Sequence, residues 1–249
     1  MECERLSDKD GLGPISAGAQ PRPMANPLPR DSITAMKDRD YTPLDRFLMG
    51  LDQGVRTLFG PPLVTERPSP AAGLPDTELG ERERRHVARL MRINHTGEVC
   101  AQGLYQGQAL TARLAETRAS MARSAQEEND HLDWCEHRIR ELGARKSLFN
   151  PVWYASSLAI GAAAGLAGDK WSLGFVVETE RQVKNHLEGH LAEVPAADVR
   201  TRAILEQMKA DEIHHAELAQ ALGGVELPAP VKLAMKLTAK VMTGTVYWV

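Results

Sequence analysis

Two short runs in this sequence have the types and spacing that do chemistry: Glu128-Asn129-Asp130-His131 and Glu212-Ile213-His214-His215, each a Glu-x-x-His. On a helix, residues three apart share a face, so each run turns a carboxylate and an imidazole toward one point. That is half of a metal cradle. With eight His in 249 residues, chance alone supplies roughly 0.6 such runs, and Glu83-Arg84-Arg85-His86 is read as that accident. Position lifts the other two above chance. Helical steps from Glu128 meet Leu114, Met121, Leu132, Cys135, Ile139 and Leu142, and steps from Glu212 meet Leu205, Met208, Ala219 and Leu222. Both motifs point at a core.

Two further segments each place one glutamate on an apolar face. Glu98 shares a side with Val87, Met91, Asn94 and Tyr105, and Glu178 with Trp171, Phe175 and Gln182. A lone Glu precedes Glu-x-x-His by 30 positions in the first half and by 34 in the second. Two pseudo-equivalent helix pairs would then meet about a two-fold axis. Four helices supply Glu98, Glu128, His131, Glu178, Glu212 and His215, the ligand set of ferritin-like di-iron and di-manganese carboxylate bundles. Burying four ionised glutamates together is costly unless cations cancel their charge, and two divalent ions do so. Iron or manganese suits the set better than zinc, whose structural sites are tetrahedral and rich in Cys and His. Such a centre keeps open positions where O₂ binds.

Several neighbours have plainer readings. His214 belongs beside the site or at the surface. His186 and His190 are read as hydrogen-bonded structural histidines, and Cys100 and Cys135 as small buried hydrophobes. With Cys3, the three cysteines are too few and too scattered for a disulfide framework.

The elements that must position these residues are helical throughout. Leu44, Phe47, Leu48, Leu51, Val55, Leu58 and Phe59 fall on one face of a short amphipathic helix over 43–59, stopped by Gly60-Pro61-Pro62. Longer helices are expected from 77 or 81 to 108, 111 to 142 with Gly143 as the stop, 151 to 168, 171 to 191, 198 to 222 with Asp198 as cap, and from 231 onward. No alternating, β-branched run suggests a sheet, so the fold class is all-α. Residues 1–40, rich in Gly, Pro, Asp and Ser, read as a disordered arm, and residues 41–249 as the folded domain.

A net charge of −3 with 5% aromatic residues gives no pull toward nucleic acid. No export signal is indicated. The uncharged stretch 147–168 is long enough to cross a bilayer, but Gly, Ala, Ser and Asn dilute it, and the reading is against a span. The C-terminal segment carries Lys232, Lys236 and Lys240 beside Val231, Leu233, Leu237 and Val241 and ends in Tyr247-Trp248-Val249. That pattern suits a helix lying in a membrane surface, and equally one docked on the bundle.

The runs Arg92-Ile93-Asn94-His95-Thr96-Gly97-Glu98, Glu127-Glu128-Asn129-Asp130-His131-Leu132, Val177-Glu178-Thr179-Glu180 and Asp211-Glu212-Ile213-His214-His215 resemble the bacterial branch of the demethoxyubiquinone hydroxylase family over about residues 43–249. The resemblance implies a ferritin-like di-iron monooxygenase that hydroxylates a ring carbon of demethoxyubiquinol in ubiquinone biosynthesis. It implies two irons on Glu98, Glu128, His131, Glu178, Glu212 and His215, with O₂ as co-substrate and an external reductant such as NADH. Glu128 is preferred to its neighbour Glu127 only by its spacing to His131. The expected partners are a prenylated quinol, membrane lipid, and other ubiquinone-biosynthesis proteins or a second copy of the chain. The expected place is the cytoplasmic side of the cell membrane, bound peripherally. A ferritin-like ferroxidase or storage protein, and a non-catalytic lipid-binding bundle, remain alternatives.

Overall fold

Proline and glycine punctuate the chain where its helices break. A computed structural model describes residues 42–62 and 67–249. The expected arm over residues 1–40 lies outside the described residues. Among the described residues there are seven α-helices and no strand: α1 (Pro43–Phe59), α2 (Glu81–Thr111), α3 (Ala115–Glu141), α4 (Asn150–Leu166), α5 (Asp169–Glu193), α6 (Val199–Ala221) and α7 (Ala229–Val246). The punctuation acts as the residues dictate. Gly143 and Gly223, with φ of 70° and 98°, take the left-handed turn that ends α3 and α6. Asp198 caps α6 by accepting from the Thr201 amide at 3.0 Å. The α3 helix starts at Ala115 rather than 111, because residues 112–114 turn between α2 and α3. That turn is tied to the start of α5, where the Asp169 carboxylate accepts from the Arg113 and Leu114 amides at 3.0 and 2.8 Å.

Helices α2, α3, α5 and α6 form a ferritin-like four-helix bundle. The α2/α3 and α5/α6 hairpins pack within themselves and against each other, with α4 as the crossover between them. Two apolar clusters fill its interior. One gathers Met91 of α2, Trp134, Cys135 and Ile139 of α3, Leu187 of α5, and Leu205 and Met208 of α6. The other gathers Tyr105, Met121, Ala125, Val176, Val177 and Ala219. On every one of the four helices the positions between these clusters hold the Glu or Glu-x-x-His. Burial of the flanking apolar residues therefore fixes the rotation of each helix and seals the polar layer from both ends.

The remaining helices lie outside the bundle. The α4 helix crosses α2 on glycines: a Cβ at Gly161 would stand closer than 3.0 Å to the Leu104 carbonyl oxygen, and one at Gly107 would meet Leu158 and Ala162. Its outer face leaves Val152, Ile160 and Leu166 exposed. The α1 stripe packs through Leu58 and through Gly54 against Tyr154. Its Leu44, Leu48, Leu51, Val55 and Phe59 stay at least half exposed, the lowest being Val55 at 50%. The α7 helix exposes Leu233, Leu237 and Val241, and Trp248 beyond it is exposed as well. Among the described residues, no helix is long and apolar enough to cross a membrane.

Candidate metal centre

The polar layer between the apolar clusters is a single carboxylate and imidazole assembly. Glu98 reaches it from α2, Glu128 and His131 from α3, Glu180 from α5, and Glu212 and His215 from α6, every one of them buried. Their ligand atoms fall into two overlapping groups: Glu98, Glu128, His131 and Glu212, and Glu128, Glu180, Glu212 and His215, each within 4.8 Å of one another. Glu128 and Glu212 belong to both. Each group thus offers three carboxylates and one imidazole, a donor set for a cation.

Five of the six residues expected from the sequence meet here, and Glu178 does not. It lies two residues from Glu180, about 200° around a helix of 3.6 residues per turn, and so on the opposite face. The Glu178 carboxylate accepts from the Gln182 amide at 2.7 Å and lies 3.7 Å from the Lys232 ammonium. The expected face, marked by Trp171, was the wrong one, since Trp171 is 46% exposed. The buried stripe of α5 runs through Leu173, Val176, Val177, Glu180 and Leu187. The apolar period from Leu173 to Leu187, with Glu180 midway, was the signal that identifies the inward glutamate.

Both histidines turn Nδ1 inward and Nε2 outward. His131 Nδ1 is 3.0 Å from Glu128, 3.5 Å from Glu212 and 3.7 Å from Glu98, while its Nε2 meets the Asp211 carboxylate at 2.9 Å. His215 Nδ1 lies 3.2 Å from Glu128 and 3.4 Å from Glu212, and its Nε2 meets Glu127 at 2.7 Å. The residue preceding each shared glutamate therefore backs the imidazole of the opposite helix. A carboxylate behind an imidazole puts the proton on Nε2 and leaves Nδ1 as a donor atom for a cation. Sequence reading missed Asp211 and weighed Glu127 only as a rival to Glu128. The two serve a common purpose.

The donor set fits metal ions. Glu128 Oε1, Glu212 Oε2 and His215 Nδ1 are buried and face the layer, where His215 Nδ1 stands 3.2 and 3.4 Å from the two oxygens without a well-formed hydrogen bond. Burial, reinforced by the charge of Glu128, pushes Glu98 well above the usual carboxylate range, and burial with Glu128 and Glu180 does the same to Glu212. Burial opposes the charge on the imidazoles, but the surrounding carboxylates outweigh it, holding His131 well above its ordinary value and pushing His215 up to about 12. Without cations, therefore, burial and the crowding of carboxylates favour protons on Glu98, Glu212, His131 and His215. A metal ion must displace them. Adding Fe(II) to the metal-free chain is expected to release protons, and apparent affinity to fall as pH falls. Calorimetry in two buffers of different ionisation enthalpy measures this, and heats that do not depend on the buffer would contradict it.

Other residues noted in the sequence lie apart. His214 is exposed. The His186 and His190 rings, tilted by 60° with centroids 3.9 Å apart, line an open cavity of about 520 Å³ with Leu90, Tyr247 and Trp248. One nitrogen of each ring, His186 Nε2 and His190 Nδ1, is buried and finds no hydrogen-bond partner among the described residues, so neither histidine is fully satisfied as a structural residue. Cys100 is partly buried, Cys135 is buried, and both are free thiols.

Comparison with known proteins adds the chemistry of relatives. Residues 85–246 match the family described as "Ubiquinone biosynthesis protein COQ7". A protein of Nitrosococcus oceani is 56% identical over 214 residues, which cover 86% of this chain and 100% of the relative. One of Pseudomonas paraeruginosa is 58% identical over 210 residues, covering 84% of this chain and 98% of the relative. One of Nitrosospira multiformis is 57% identical over 206 residues, covering 83% and 99%. All three carry the name 3-demethoxyubiquinol 3-hydroxylase.

Proposed function

This chain belongs to the COQ7 family of ubiquinone biosynthesis proteins, and on that premise we propose that its buried Glu and His layer is where 3-demethoxyubiquinol is hydroxylated. The protein is a hydroxylating oxidoreductase of ubiquinone biosynthesis. The observation that carries the assignment of the reaction centre is the pair of overlapping, chemically matched ligand groups in one water-excluded layer.

Glu98, Glu128, His131 and Glu212 would hold one iron, and Glu128, Glu180, Glu212 and His215 the other. Bound there, the iron pair supplies the redox chemistry that activates O₂ for transfer of one oxygen atom to the ring, with electrons from an external donor such as NADH. The chain's own part is geometric and electrostatic. Glu128 and Glu212 bring the two positions together, and Glu98 and Glu180 complete them from opposite sides. The apolar clusters above and below exclude bulk water. The Tyr105 hydroxyl donates to Glu180 at 2.5 Å and fixes its orientation. Incubating the iron-loaded chain with demethoxyubiquinone, a reductant and ¹⁸O₂ tests the reading: the label is expected in the ring hydroxyl, and label from H₂¹⁸O instead would overturn it.

We further propose that the chain works from a lipid surface, on the cytoplasmic side of the cell membrane. A prenylated quinol resides in lipid, and the exposed apolar side chains of α1, α4 and α7 are the surfaces that would enter the interfacial layer without a helix crossing it. Lys236 and Lys240 on α7 add attraction to anionic headgroups. Replacing Leu237 and Val241 with Glu removes two side chains whose burial contributes about 1.5–3 kcal/mol each. Binding to anionic vesicles is expected to fall at least about tenfold. Unchanged cosedimentation would count against this surface.

A further inference from the structure

The two metal positions have the same first ligands, three carboxylates and an imidazole each. What stands behind those ligands can still set them apart, and there the pseudo-symmetry breaks. Behind His131, the Asp211 carboxylate is fixed from three directions. Its Oδ2 accepts from His131 Nε2 at 2.9 Å and from Arg67 Nη1 at 2.8 Å, and its Oδ1 accepts from the Gln207 amide at 2.9 Å. Arg67 is itself fixed. Its Nε donates to Asp130 Oδ2 at 3.0 Å, and its guanidinium lies 5.0 Å over the ring of Trp134, which in turn packs against His131. One residue of the connection between α1 and α2 thus clamps α3 to α6 directly behind this imidazole.

Behind His215 the backing carboxylate and its arginine both come from α3. Glu127 accepts from His215 Nε2 at 2.7 Å and from Arg123 Nε at 2.8 Å, but Arg123 sits one turn away on the same helix, with a side chain 54% exposed. Glutamate also has one more rotatable bond than aspartate to immobilise.

Resting on the di-iron reading above, we propose that the two positions are inequivalent. The Glu98/His131 position is the tight one, held by Asp211 and Arg67 as positioning residues, and the Glu180/His215 position is the exchangeable one, backed by Glu127. Carboxylates behind a metal-bound imidazole commonly change affinity by about 10–100-fold, so the difference in support is large enough to separate the two binding steps.

The test is anaerobic titration of the metal-free full-length chain with Co(II), followed by its visible d–d bands and by calorimetry. Wild type is expected to fill in two resolved steps. Asp211→Asn and, independently, Arg67→Ala should weaken the first step by about 10–100-fold and leave the second within about threefold, while Glu127→Gln should do the reverse. Arg67 is one-third exposed, so its replacement provides a check on general misfolding, which would lower both steps together. If Asp211→Asn and Arg67→Ala both shift the two steps equally, or if wild type fills in one step, the proposal is overturned while the di-iron reading stands. Failure of wild type to bind two ions overturns both.

Discussion

Glu180→Ala is expected to abolish hydroxylation and to cost the chain its second metal ion, whereas Glu178→Ala should retain both ions and activity within about threefold. The contrast is sharp because the two residues have the same type and are neighbours in sequence. Glu180 is 3% exposed and shares its group with Glu128, Glu212 and His215. Loss of its carboxylate removes a donor that no nearby side chain replaces. Even residues behind a ligand are worth about 10–100-fold, so loss of the ligand itself should exceed about 100-fold in turnover. Glu178 instead ties Gln182 and lies near Lys232 at the base of α7. That pair is partly buried, its Glu178 and Lys232 side chains 13% and 29% exposed, and at 3.7 Å it contributes about 1 kcal/mol to stability and nothing to the metal layer. Turnover of quinol together with iron per chain, measured on both variants, checks the pair.

The largest effect on stability is expected at a position with no chemistry at all. Gly161→Val should destabilise the fold by about 3 kcal/mol or more, because its Cβ would overlap the Leu104 backbone where α4 crosses α2. Backbone cannot move aside as the end of a flexible side chain can. In a chain of this size that loss lowers Tm by roughly 6–12 °C. Because α2 carries Glu98, and because Thr96 on α2 donates to Asn150 at the start of α4 at 2.8 Å, metal retention should fall as well. Gly189→Ala, on an exposed face of α5 with open space around it, is the control. It should be neutral or stabilising by up to about 1 kcal/mol. A scanning calorimetry trace with the two variants melting together would refute the crossing argument.

Much of the fold was legible because helix period and punctuation are local properties. Asp198 and Gly143 acted where the sequence placed them, and Glu98, Glu128, His131, Glu212 and His215 converge because apolar residues at helical spacing flank each one on both sides. Glu178 was misread for a physical reason. Trp171 is large and amphipathic, and at the start of a helix it can stand in the open, so it marks the core less well than Leu173, Val177 and Leu187 do. Asp211 and Glu127 were visible as acids preceding each shared glutamate. Their pairing with the opposite imidazole depends on how α3 and α6 are rotated against each other, which no local pattern encodes. Arg67 sits beside Pro68 in an irregular segment with no period to read. The α1 stripe shows the remaining gap, since its amphipathic pattern was plain while its largely exposed apolar face was not.

The central claim is that six side chains from four helices hold two irons between two apolar clusters. Anomalous scattering at the iron edge from crystals of the iron-loaded chain tests it most directly. Two peaks about 3.5–4 Å apart are expected, one beside Glu98 and His131, the other beside Glu180 and His215, with Glu128 and Glu212 between them. A single peak, or one held by Glu178, would contradict the account.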